Sequence, residues 1–187
     1  DLQASTLSLG LLGPRLLRDG KGAVTTGVDP ADGTSKQFGA TLPSPRKGKG
    51  AGRVSMDCEG LAMQADGRVF VSDEFGANIY CCDADAQITD VTAPPEAFLP
   101  YVDDRLCFTS ASGTEPESGR APNDGFEGLS LSPDGKHLHA LLQSPLVQDR
   151  EGKPETRRFT RLLVFEVAKG RAAHKPVAHY VVELPVF

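Results

Sequence analysis

Glu59 and Glu127 each open the same phrase: Glu59-Gly60-Leu61 is followed by Asp66-Gly67, and Glu127-Gly128-Leu129 by Asp134-Gly135, all at one offset of 68 residues (59 to 127). Two carboxylates brought into one partly dry space raise each other's pKa or attract a cation. Asp73-Glu74 adds two more acidic oxygen donors, and Asn123 and Gln143 add neutral oxygens and amide donors beside the second copy. Calcium takes about six to eight oxygen ligands, which flexible loops can provide. The expected set is therefore Glu59, Glu127 and Asp73 as catalytic carboxylates and metal ligands, with Glu74, Asn123 and Gln143 contacting the bound ligand and Ca2+ as the cofactor. A plainer role is open for the repeated glutamates, which could accept hydrogen bonds from backbone amides at a strand start.

Other chemistries have weaker support. His137 and His139 flank Leu138 and share one face of a strand, but no third ligand stands in register to complete a transition-metal site. A serine hydrolase needs a nucleophile, a base and an oxyanion site. No G-x-S-x-G elbow occurs, and Ser72, Ser130, Ser132 and Ser144 sit in ordinary strand or turn contexts. Asp66 and Asp134 precede glycines and read as turn residues.

These residues need short elements to position them. A repeat at fixed offset points to a repeated architecture, and each copy reads as strand, Asp-Gly turn, strand. The chain has 187 residues with 20 Gly and 14 Pro, which breaks it into short segments and disfavours long helices. Strands are expected over 60–64, 68–73 and 77–83 in the first unit, and over 128–132, 137–143, 160–168 and 177–184 in the second. Residues 1–22 read as strand and turn, 29–53 as loop, 91–126 as a long functional or mobile loop, and 147–158 as a polar excursion. Short antiparallel sheets in repeated register suit an all-β fold, a β-propeller whose first strands line a central channel. At about 40–45 residues per blade, the length predicts about four blades. A β-sandwich is the competing architecture.

Composition bounds the function further. The net charge of −5 gives no reason to expect nucleic acid. The basic run Arg46–Arg53 is glycine-rich and reads as an exposed loop, not a phosphate cradle. No stretch approaches the roughly 20 apolar residues of a membrane helix. Cys58, Cys81, Cys82 and Cys107 lack paired C-x-x-C spacing, so one disulfide and free thiols are both open. The sequence opens at Asp1 and stops at Phe187 without a turn, which suggests part of a longer chain.

The repeated blocks resemble the phytase-like family, described by an esterase-like activity of phytase. Asp57-Cys58-Glu59-Gly60, Ser72-Asp73-Glu74-Phe75-Gly76 and Asn123-Asp124-Gly125-Phe126-Glu127-Gly128-Leu129 match its D-x-E-G, S-D-E-[YF]-G and N-x-G-[FW]-E-G-L blocks in order. Asp124 stands where the family often has Arg, and Ala77 where it often has Pro. The resemblance implies that residues 1–187 form a single propeller domain, part of a longer propeller that a second polypeptide could complete. It also implies a secreted hydrolase acting on a small ester or phosphoester at an acidic, calcium-assisted channel mouth. The rival expectation is a non-catalytic propeller that binds a protein or small ligand through its loop face, since fold does not fix function.

Overall fold

The computed structural model describes residues 13–150 and 158–185 and is all-β among them. Thirteen strands follow in order: β1 (Thr34–Gln37), β2 (Ala40–Pro43), β3 (Cys58–Met63), β4 (Val69–Asp73), β5 (Ile79–Cys82), β6 (Ile88–Thr92), β7 (Tyr101–Val102), β8 (Arg105–Leu106), β9 (Phe126–Leu131), β10 (His137–Leu142), β11 (Phe159–Ala168), β12 (Arg171–Ala172) and β13 (Ala178–Glu183). Helical structure among the described residues is limited to two short 3-10 turns, Glu96–Phe98 and Val147–Asp149.

Two antiparallel meanders form the body. Sheet I has the order β3-β4-β5-β6, and sheet II runs β9-β10-β11 with β13 added on the far edge of β11 and β12 on its end. Both hairpins turn at their Asp-Gly pair, the second with a loop one residue longer: Met63 pairs with Val69, and Leu131 with Leu138. Gly67 and Gly135 take positive φ angles of 86° and 71°, which a side chain resists. Asp66 Oδ1 accepts the Arg68 amide and Asp134 Oδ1 accepts the Lys136 amide, so both aspartates are turn residues.

The repeat also carries a matching irregularity. In β3 an extra residue lies between Cys58 and Leu61, a span that holds Glu59; in β9 the extra residue is Glu127, between Phe126 and Gly128. A bulge bends its strand and re-aims a side chain. Each repeated glutamate thus belongs to a bulge in the first strand of its sheet. Those first strands run close together. A Cβ at Gly60 would stand 2.6 Å from both the Leu129 Cβ and the Ser72 Oγ, and 2.9 Å from the Leu129 amide nitrogen. Only glycine admits that approach.

Strands β4 to β6 of sheet I are buried on both faces. Ala62, Phe70, Ile79 and Cys81 meet Leu138, Ala140, Leu163 and Phe165 of sheet II. The opposite face, with Val71, Tyr80, Cys82 and Val91, packs on Leu42, Val54 and Met56 from the N-terminal segment. Strands buried on both faces lose the alternation that marks a half-buried strand, which is why β6 is not apparent in the sequence.

Several expectations are corrected. Two four-stranded meanders appear among the described residues, not four, because much of the chain is spent in connections. Residues 29–53 contain the β1–β2 hairpin. Residues 91–126 pack as structure: Phe98 and Phe108 are buried, and the Phe98 ring stacks obliquely on Phe126 and on His179 of β13. Of the two states left open for the cysteines, all four are free thiols. In the basic run, Arg53 is drawn in to the carbonyls of Val24 and Thr25. The apolar residues expected as strand and turn before Gly13 lie outside the described residues, as does most of the polar excursion.

Gly60→Ala is expected to cost about 1–3 kcal/mol through overpacking. Gly128→Ala, whose Cβ would meet nothing nearer than the Leu141 Cβ at 3.3 Å, should cost clearly less. Urea unfolding of the two variants checks the difference; equal losses would mean that β3 and β9 are not pressed together at Gly60.

Candidate functional site

The site grows out of the first bulge. Asp57 and Glu59 flank Cys58 at the start of β3, while Glu74 sits in the turn that follows β4. Oxygens of Asp57, Glu59 and Glu74 all lie within 4.8 Å of one another, a spacing that suits a shared cation. Glu127 approaches from the second bulge and acts electrostatically on both Glu59 and Glu74.

Backbone bonds bring these segments together. The Asp57 carbonyl accepts the Glu74 amide at 2.8 Å. Asp73 is fully buried; its Oδ1 accepts the Asp57 amide at 2.9 Å and the Phe75 amide at 3.3 Å, and its Oδ2 accepts the Gly76 amide at 2.8 Å. The Asp73 carboxylate therefore ties the strand carrying Asp57 to the turn carrying Glu74. It does not belong to the group of oxygens within 4.8 Å. Arg120, only 1% exposed, braces the same turn from the 91–126 segment. Its guanidinium donates to the carbonyls of Phe75, Phe108 and Ala121. Gly125 completes the brace, since a Cβ there would stand 2.1 Å from the Glu74 carbonyl oxygen.

The electrostatics follow from this crowding. Glu74 is 2% exposed, and its Oε1 is buried without a hydrogen-bond partner. Burial, then the charges of Glu127, Asp57 and Glu59, push its pKa up to about 8, with Arg120 opposing. Glu59 is exposed at the surface, and its pKa is raised by desolvation and then by Glu127 and Asp57. Burial raises Asp73 to about 6 against the pull of its three amides and Arg120. Desolvation and then the charges of Asp73, Asp57 and Glu59 push the Cys58 thiol up to about 12, which disfavours its thiolate although the residue is exposed.

The other expected residues lie on the second copy. Asn123 is exposed with a positive φ of 59°, next to Asp124, which pairs with Arg150 at 2.7 Å. Gln143 is exposed, and its amide donates to the Gly125 carbonyl at 3.0 Å. That bond matches the Glu74-to-Asp57 bond of the first copy, so Gln143 replaces Glu74 and Gly125 replaces Asp57. The second copy thus brings one carboxylate, Glu127, to the junction where the first brings three. His137 and His139 lie in β10 and belong to no metal-competent group among the described residues.

Asp57 was missed as a site residue. Its signal was present: positions i and i+2 of a strand share a face, and Asp57-Cys58-Glu59 has that spacing. Arg120 left no comparable signal, because its partners are carbonyls scattered along the chain.

Comparison with known proteins follows the same residues. The family model described as phytase-like, esterase-like activity of phytase, matches residues 12–186. An uncharacterized secreted protein of Arthroderma benhamiae is 35% identical over 203 residues, covering 97% of this chain and 39% of that protein. The chain therefore spans well under half the length of that relative. Among solved structures, a chain of Kuenenia stuttgartiensis hydrazine synthase aligns at 17% identity with a TM-score of 0.27, covering 98% of this chain and 53% of that one. That likeness is too small to inform the fold.

A carboxyl whose folded pKa lies above its unfolded value binds more protons folded than unfolded between the two. Stability then falls as pH rises through that interval. For Glu74 the interval runs from 4.5 to about 8, and Asp73 adds a decline between 3.8 and about 6. Chelator-treated protein should therefore lose stability from about pH 6 to 8, and Glu74→Gln should flatten the decline in that range. Denaturant unfolding at a series of pH values checks this; an unchanged slope in the variant would remove Glu74 from the account.

Proposed function

The chain belongs to the phytase-like family, and we propose that its two meanders are neighbouring β-propeller blades whose mouth binds a divalent cation and hydrolyses an ester or phosphoester. The observation that carries this reading is the buried, unpartnered Oε1 of Glu74 inside a group of three carboxylates. A buried polar atom without a partner is costly and calls for an explanation. A cation shared with Asp57 and Glu59 supplies one, and it offsets the mutual repulsion of the acidic groups. An all-oxygen donor set suits calcium, magnesium or manganese over softer metals, and calcium is the first expectation.

Each residue then has a role. Asp57, Glu59 and Glu74 hold the ion. Asp73 keeps Asp57 and Glu74 in place through its three amides. Glu127, reaching the same space from the neighbouring blade, accepts the proton of an attacking water. Asn123 and Gln143, exposed on the same copy as Glu127, offer amide donors to substrate oxygens. When bound, the cation supplies positive charge to the developing oxyanion. The propeller reading draws support from the repeated meander, the equivalent bulges and the adjacent first strands. Residues 1–187 then belong to one such domain, within a longer protein of the length seen in the relative. Secretion is supported by the description of that relative. No helix among the described residues is long and apolar enough to cross a membrane.

Calcium titrated calorimetrically into chelator-stripped protein should bind with about one ion per chain, and Glu59→Gln and Glu74→Gln should each weaken binding by at least about tenfold. Hydrolysis of p-nitrophenyl phosphate or acetate should vanish on chelation and return with calcium. Binding without turnover would favour a non-catalytic propeller; no binding would remove the basis of the site.

A further inference from the structure

The two bulges that carry Glu59 and Glu127 are not held alike. Strands β3 and β4 pair at Cys58–Asp73 and again at Leu61–Val71. Between those pairs, Glu59 and Gly60 together oppose the single residue Ser72. A bulge of this kind takes its extra residue out of the ladder and leaves backbone groups without a strand partner. Ser72 supplies an acceptor: the Gly60 amide donates to its Oγ at 2.8 Å. Ser72 is fully buried. Gly60 is held between it and Leu129 of β9, since a Cβ at Gly60 would stand 2.6 Å from the Ser72 Oγ and from the Leu129 Cβ.

The second bulge lacks this contact. Leu129 pairs with Ala140, Gly128 with Leu141, and Phe126 with Leu142. Leu141 therefore stands across from Gly128 as Ser72 stands across from Gly60, and Leu142 pairs with Phe126 as Asp73 pairs with Cys58. Leucine side chains carry no acceptor. The 68-residue offset hides this difference, because it sets Ser72 against Ala140, while the longer hairpin of sheet II moves the match by one residue.

We infer that Ser72 is a positioning residue for Glu59. Asp73 accepts the Asp57 amide on one side of Glu59, and Ser72 accepts the Gly60 amide on the other. Two consecutive residues of β4 thus fix the backbone on both sides of the glutamate. The bulge then directs the Glu59 carboxylate toward Asp57 and Glu74. A ligand set in place beforehand leaves less ordering to be done when the cation binds. The inference rests on the reading of Asp57, Glu59 and Glu74 as a cation site.

Calcium titrated into chelator-stripped protein tests it with Ser72→Ala, Glu59→Ala and the double variant, each under conditions where it is folded. Ser72→Ala should weaken binding about tenfold, as expected when a contact supporting a ligand is removed. In the Glu59→Ala background it should weaken binding no further, because the side chain it positions is gone. An equal loss in both backgrounds would make the role of Ser72 merely structural and overturn the inference. Unchanged affinity in Ser72→Ala would also overturn it. Wild-type protein that binds no calcium would overturn the cation reading and the inference together. Amide exchange needs neither metal nor variant. The Gly60 amide should exchange at least about a hundredfold more slowly than an unbonded amide, and exchange at the unprotected rate would remove the Ser72 contact from the account.

Discussion

Carboxylates repel one another, and this fold holds four of them at one junction. The constraint that makes this possible is the buried Asp73 carboxylate, bonded to the amides of Asp57, Phe75 and Gly76. It fixes the strand carrying Asp57 and Glu59 against the turn carrying Glu74. It reinforces the backbone bond from the Glu74 amide to the Asp57 carbonyl against the mutual repulsion of the side chains. Arg120 supports the same turn from below, spending its donors on three carbonyls of separate segments. Buried and bonded in this way, it rigidifies the loop.

The duplication explains how the junction acquired its asymmetry. Both copies keep the bulged glutamate, the Asp-Gly hairpin and the backbone bond from the turn to the strand start. They differ at the side chains around that bond. The first copy has Asp57 and Glu74; the second has Gly125 and Gln143. Gly125 is also a steric necessity, since its backbone lies against Glu74. A carboxylate side chain at position 125 would not fit against the turn that carries Glu74.

Much of this was legible in the sequence, and the reasons for the rest are physical. The repeat, its Asp-Gly turns and the equivalent places of Glu59 and Glu127 at the starts of two strands depend on local spacing, which the sequence displays directly. The strand β6 was hidden because it is buried on both faces and shows no alternation. The packing of 91–126 was hidden because its anchors, Phe98, Phe108 and Arg120, are separated singletons whose partners lie far along the chain. Asp73 illustrates the limit most clearly. A carboxylate that bonds amides and one left with an unpartnered oxygen are both acidic and adjacent in sequence. Three dimensions separate them: Asp73 turns inward to backbone donors, and Glu74, the next residue, leaves an oxygen unpartnered.

The central claim is that Asp57, Glu59 and Glu74 converge to hold a cation. Anomalous diffraction from crystals soaked in manganese measures this directly. A difference peak about 2.0–2.6 Å from oxygens of all three residues, Glu74 Oε1 among them, is the predicted result. A map featureless at that position, or a peak held elsewhere while Glu74 Oε1 is satisfied by a protein donor, would contradict it.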